Sequence, residues 1–224
     1  VAGIVSLQSI REQVLADPNF DPTFPGPITL TGTVVENGID SQSRQFQIQQ
    51  GTYGLNLFGS PGFANTVAVG DLITARGTLG FFNGLQQLTN VTVMSQTPGQ
   101  PLPPINVVDT STATDATYEA VESTITAYTN VSFVNFGLEP ACSANQPLVG
   151  NTLLEVRFST AICPNFDLGG ANPYILPSGT GTVRGVASQF DNSGPERRGG
   201  YQVQPRTPAD IDFTSSVSDW MMFR

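Results

Sequence analysis

The sequence predicts an all-β protein: two tandem five-stranded barrels behind a short N-terminal helix. Three observations carry this reading. The segment Thr74-Ala75-Arg76-Gly77 returns as Thr182-Val183-Arg184-Gly185, and each copy leads into a phenylalanine and a glutamine, Phe82 and Gln86 in the first, Phe190 and Gln202 in the second. A chain that repeats a strand, a glycine and a hairpin is read as two copies of one small β unit. Hydrophobic residues make up 39% of the 224 residues, enough for a core, while charged residues are only 12%, about half the usual share. Thr, Ser, Asn, Gln and Gly fill the remaining surface, which suits strands and turns. Finally, short alternating apolar runs are punctuated by turn residues, with Asn83-Gly84 the strongest hairpin signal.

The elements follow in order. Leu7, Ile10 and Val14 fall on one face of a helix over Ser6 to Ala16, with Arg11, Glu12 and Gln13 turned outward. Ser6 is the expected cap, and Ser9 with Glu12 also matches a capping box. Asp17-Pro18, Asp21-Pro22, Pro25 and Pro27 stop the helix and extend the connector. Ile28-Val35 reads as a strand, turned by Asn37-Gly38 and Asp40-Ser41. Gln45-Gln49 alternates Phe46 and Ile48 with glutamines, the pattern of a half-buried strand. Gly54-Phe58, Leu72-Leu79 and Leu85-Met94 complete five strands in about 70 residues, the count of an oligonucleotide/oligosaccharide-binding (OB) barrel.

Pro98-Gly99-Gln100-Pro101-Leu102-Pro103-Pro104 opens a semi-rigid linker. The expected organisation is a helix and first barrel over 1–97, a linker over 98–117, a second barrel over 118–213 and a tail over 214–224. In the second unit Ser123-Phe133 reads as a long strand interrupted near Asn130, and Gly137-Gly150 as an insertion carrying Cys142. Leu153-Phe158, Gly181-Ala187 and Tyr201-Gln204 read as further strands.

Val69-Gly70-Asp71-Leu72-Ile73-Thr74-Ala75-Arg76-Gly77-Thr78-Leu79, with Asn83-Gly84-Leu85-Gln86-Gln87-Leu88-Thr89-Asn90-Val91-Thr92, resembles secreted bacterial OB-fold modules. Tyr118-Glu119 with Thr129-Asn130-Val131-Ser132-Phe133 resembles the opening of a second such module, and Tyr201 to Ile211 its close. The resemblance covers about residues 4 to 213. It implies the OB fold, export, and a setting beside extracellular nuclease or phosphatase domains or in cell-envelope proteins; the catalytic domain of such nucleases has no counterpart here.

The chain has no Lys and no His, and its nine basic residues are all Arg against 18 acidic ones, for a net charge of -9. This balance repels polyanions and anionic lipid surfaces. No run of 18 apolar residues predicts a membrane span. No charged n-region with an apolar h-region opens the chain, so Val1 is expected to be a mature end left by signal cleavage. Cys142 and Cys163 are the only cysteines, both in polar, Pro- and Gly-rich surroundings. They are expected to form a disulfide in an oxidising compartment, with two free core thiols as the alternative. Missing histidines argue against zinc.

Without histidine, lysine or free thiols, most nucleophile–base pairs are excluded. Asp71, Asp167, Asp191 and Asp210 read as turn or loop residues, so no catalytic residue is assigned and the chain is expected not to be an enzyme. No cofactor is assigned; Asp191, Asn192 and Glu196 are candidate calcium donors, against a solvated turn. Tyr53, Phe58, Phe81, Phe82 and Gln86 are candidates for a ligand face on the third to fifth strands. Nucleic acid needs a basic groove the acidic balance argues against, whereas an oligosaccharide would meet Phe81-Phe82 beside Asn83 and the Gln86-Gln87 amides. The tail ends in Trp220, Met221, Met222 and Phe223, an apolar run of the kind found at interface cores. The functional expectation is a non-catalytic structural or adaptor subunit docking through this run onto another envelope protein or a larger complex. The rival expectation is an extracellular OB-fold module for single-stranded nucleic acid or oligosaccharide.

Overall fold

The computed structural model describes residues 4–17, 19, 24, 26–192 and 197–213. Helix α1 (Leu7–Ala16) starts at Ser6, whose side chain accepts a hydrogen bond from the Ser9 amide at 3.0 Å, and ends at Asp17, where the backbone turns extended. Leu7 and Ile10 join the first barrel's core, as their spacing predicts. Arg11 does not point outward. It is fully buried, because α1 lies between the first sheet and a second helix and has two covered faces.

Strands β1 (Ile28–Glu36), β2 (Gln45–Gln50), β3 (Tyr53–Phe58), β4 (Leu72–Phe82) and β5 (Leu85–Thr97) close into a barrel in the order β1-β2-β3-β5-β4. All pairs are antiparallel except β3 with β5. Asn83 and Gly84 join β4 to β5, and both take positive φ (50° and 85°), the requirement of a two-residue type I′ hairpin. Leu30, Phe46, Ile48, Leu55, Leu57, Ile73 and Leu88 fill the interior.

The second sheet contains β6 (Asn106–Asp109), β7 (Ile125–Val131), β8 (Asn145–Leu148), β9 (Asn151–Arg157), β10 (Gly181–Gln189), β11 (Tyr201–Gln204) and β12 (Ile211–Asp212), with helix α2 (Asp115–Ala120) between β6 and β7. Its path is β6-β7-β10-β11-β9-β8, and β12 pairs with β10. Matching β7, β8, β9, β10 and β11 to β1, β2, β3, β4 and β5 reproduces four of the first sheet's five neighbour pairs, including the single parallel pair, here β9 with β11; β7 and β8 do not pair as strands, so the second sheet stays open. The seam between β7 and β8 is held by a bridge from Phe133 to Leu148, with Val134 N donating to Pro147 O (3.1 Å) and Val149 N to Ser132 O (2.9 Å).

Three readings change. The long strand over Ser123-Phe133 shortens to β7, and Asn130 sits at φ 59° where the interruption was expected. The insertion contributes β8, and the connector contributes β6, which pairs in parallel with β7. Helix α2 is too short for a periodic signal.

The repeated tetrapeptide occupies equivalent places. Ala75 on β4 faces Leu30 on β1, and Val183 on β10 faces Tyr128 on β7. The repeated glycine has one cause in both copies. A Cβ on Gly77 would meet the Thr89 carbonyl of β5 at 2.6 Å, and one on Gly185 would run into the Gln204 carbonyl of β11.

Candidate functional site between the barrels

The outward residues of β2 determine how the two units meet. Phe46 and Ile48 enter the barrel, which leaves Gln45, Gln47 and Gln49 outside, yet Gln47 and Gln49 are also buried. The half-buried expectation is therefore corrected: a second layer covers this face. Gln49 donates to the carbonyls of Gly51 and Pro104, both at 2.8 Å, and accepts from the Ile125 amide at 3.1 Å. Gln47 donates to Asn56 Oδ1 at 2.9 Å, and Asn106 reaches Thr52 O at 3.0 Å. Gly54 is needed where the chains cross, since a Cβ there would collide with the Ser123 carbonyl.

A buried charge cluster lies beside these amides. Arg11 Nη1 donates to Glu119 Oε1 at 2.6 Å and Nη2 to Glu122 Oε1 at 2.8 Å, with all three side chains at most 1% exposed. Glu122 Oε1 also accepts from the Gln86 amide at 3.2 Å. Burial, reinforced by the Glu122 charge and only partly countered by Arg11, pushes the Glu119 carboxyl up to about 8. Burial likewise raises Glu122 against the pull of Arg11. Burial opposes the Arg11 charge too, but the two glutamates more than offset it and hold the guanidinium above its ordinary range. With its carboxyl near 8, Glu119 keeps its proton near neutral pH beside the Arg11 cation.

Where the first barrel and the second sheet diverge, a cleft of about 280 Å³ opens between them. Arg44 lines it from the first barrel and Arg157 from the second sheet, with Asp40 the one carboxylate among the described lining residues. Arg44 lies over the Phe58 ring at 5.4 Å and bonds Asp40 through Nε at 3.1 Å. Burial disfavours the Asp40 charge, but hydrogen bonds from Arg44 and from the Gln42 amide outweigh it and hold the carboxyl below its usual range. Arg157 donates to Asn145 Oδ1 (3.0 Å) and Ser143 O (3.3 Å), and no carboxylate among the described residues lies within ion-pair distance of it. Phe82 and Phe190 meet edge to face on the same lining, with ring centroids 6.5 Å apart.

The predicted ligand-face residues do not form one surface. Phe58 and Phe82 line the cleft, Phe81 lies under the Arg197 guanidinium (3.6 Å to the ring centroid), and Tyr53 packs against the first core. Gln86 is fully buried. Arg44, Arg157 and Phe190 join the cleft although no ligand-face pattern in the sequence includes them. The repeat offered the one usable signal for Phe190, since it aligns that residue with Phe82. Asp71, Asp167 and Asp210 brace loops: Asp71 accepts from Ala68 N and Gln96, Asp167 from Asn172 N, and Asp210 from Arg206 and Thr207. Of the calcium candidates, Asp191 and Asn192 are described and Glu196 lies outside the described residues. Among those described, no three Asp, Glu, Cys or His side chains gather as metal ligands.

Cys142 and Cys163 are disulfide-bonded, with Cα atoms 5.7 Å apart. The bond holds the insertion near a second surface feature. Phe136 (60% exposed), Leu138 (60%) and Val149 (62%) stand out beside Val134 and Ile175. Backbone bonds tie their segments together, from Gly137 N to Leu176 O at 2.8 Å and from Leu176 N to Leu138 O at 3.0 Å. Phe213 stacks on Phe133 at 5.4 Å, so the chain leaves the second sheet next to this patch. Trp220, Met221, Met222 and Phe223 lie outside the described residues. No helix among the described residues is long and apolar enough to cross a membrane.

No family model and no curated protein matches the chain. Among solved structures, the hypothetical protein ygiW from E. coli is similar over 43% of this chain and 89% of its own, at 14% identity and a TM-score of 0.30, a likeness too small to support an argument.

Proposed function

We propose that this chain is an exported, non-catalytic adaptor of two OB-fold-like barrels, which binds a protein partner in an envelope or extracellular assembly. The β1-β2-β3-β5-β4 order, met again in the second sheet, supports the OB reading of both units. The disulfide supports export. Amides and the buried charge cluster hold the barrels together as one presenting body.

The observation that carries the adaptor reading is the patch of Val134, Phe136, Leu138, Val149 and Ile175. Exposed apolar groups on and beside the stapled insertion, in segments tied together by backbone hydrogen bonds, are what a protein interface requires. The partner it fits presents a complementary apolar face, and the sequence run 220–223 offers further apolar side chains of the same kind. The test is native mass spectrometry and pull-down of the full chain from envelope extracts, with the Phe136→Ser/Leu138→Ser double variant as control. A stoichiometric protein complex that the double variant loses, while melting as the parent does, is the expected result. A parent that stays monomeric and captures nothing would overturn it.

A further inference from the structure

We infer that the cleft between the barrels is a binding site for a carboxylate-bearing saccharide, an acidic sugar unit at the end of or within an oligosaccharide. This goes beyond the adaptor reading, and the two surfaces share no residue.

The argument begins with charge. The molecule carries -9 overall, yet this cleft is lined by two guanidinium groups and one carboxylate. Arg44 spends its Nε on Asp40, whereas Arg157 is held only by neutral oxygens among the described residues. One cation is thus in surplus, oriented by Asn145 and Ser143. Asn145 in turn donates to the Glu155 carboxylate, the one negative charge standing directly behind Arg157; at physiological ionic strength charges more than about 8 Å away are largely screened, so a bound anion responds to Arg157 more than to the rest of the acidic surface. A guanidinium accepts a carboxylate with directed, charge-assisted hydrogen bonds.

The remaining lining selects the ligand class. Carboxamides and hydroxyls outnumber charges, among them Gln87, Gln189, Gln204, Ser159 and Thr160. Gln189 and Gln204 each keep a buried side-chain oxygen with no hydrogen-bond partner among the described residues. Such acceptors are costly to leave unmet, and a hydroxyl donor that reaches them after a side-chain torsion relieves that cost. Phe82 and Phe190, from opposite barrels, supply apolar faces for sugar C–H groups and remain about half exposed. A nucleic-acid strand fits less well, since its phosphates require several cations along a groove and a single surplus guanidinium gives no such track. The volume, about 280 Å³, lies just below the range of most small-molecule pockets and suits one sugar unit better than a long chain.

The test is isothermal titration of the full chain, at physiological ionic strength, with a galacturonic acid trimer, the neutral galactose trimer and a single-stranded oligothymidylate. The acidic sugar should bind, and the neutral one at least about tenfold more weakly, the worth of one charge-assisted hydrogen bond. Arg157→Gln should erase that preference with an unchanged melting temperature. Phe82→Ala, at an exposed position, should weaken both sugars alike and serves if Arg157→Gln fails to fold. Equal binding of the two sugars, binding of neither, tighter binding of the oligonucleotide, or a folded Arg157→Gln protein that still prefers the acidic sugar would each overturn the inference. None of these outcomes bears on the Phe136/Leu138 experiment.

Discussion

Phe82 and Phe190, the corresponding phenylalanines of the two repeats, meet edge to face at 6.5 Å across the boundary between the first barrel and the second sheet. The two copies are therefore arranged so that like ends abut. Asp191 N, one residue further on, donates to Asn83 O at 2.6 Å in the first copy's hairpin. The hairpin signal and the repeat signal converge at one place in space.

Substituting the repeated glycines should be costly in both barrels. Gly77→Ala and Gly185→Ala each drive a methyl group against a neighbouring strand's backbone carbonyl, and should each destabilise by about 1–3 kcal/mol. Gly80→Ala, with open space around its Cβ position, should lie within about 0.5 kcal/mol of the parent or slightly above it. Chemical denaturation of the three variants checks the contrast.

The buried charge cluster predicts an unusual pH profile. Glu119 titrates near 8 in the folded protein against an ordinary 4.5, so between these values the folded state keeps a proton that the unfolded state releases. Unfolding free energy should consequently fall as pH rises from about 4.5 to about 8, by on the order of a few kcal/mol. Glu119→Gln fixes the neutral form and should flatten the slope. Urea melts at pH 5, 6.5 and 8 of both proteins measure this, and a parent profile that rises across the window would refute the assignment.

Removing the cation should be worse than removing one acid. Arg11→Met removes the donor that both buried glutamate oxygens face and should cost about 3–5 kcal/mol. Because the glutamates belong to the second unit and Arg11 to the N-terminal helix, limited proteolysis should also show faster cleavage in the 98–105 connector.

Breaking the disulfide should have a local signature. Replacing both Cys142 and Cys163 by Ser should lower stability by about 3 kcal/mol in the chain-entropy view. Amide exchange should speed up first around the insertion and the turn at Cys163–Phe166, with the first barrel unchanged.

Much of the architecture was legible in the sequence, for identifiable reasons. Asn83-Gly84 demanded its hairpin, Leu7, Ile10 and Val14 their helix, and the repeated glycine marked the same close strand approach twice. What escaped was set by contacts between units far apart in the chain. Arg11 sits at a position that periodicity assigns to solvent, and only α2, more than 100 residues later, turns it into an interior charge. Gln47 and Gln49 look like solvent-facing amides until the second layer covers them. Phe58 and Phe82 can be named from their strands and the repeat aligns Phe190 with Phe82, but Arg157 comes from the second sheet and no local pattern links it to the cleft.

The open seam of the second sheet has a consequence for assembly. One bridge, Phe133 to Leu148, stands where the first barrel has a full strand pairing, and the exposed Val134 and Val149 flank it on either side. A protein seated on those side chains would act as a clasp across the gap. Engagement would then register as slowed deuterium uptake at the Val134 and Val149 amides, making closure of the stave a built-in report of occupancy.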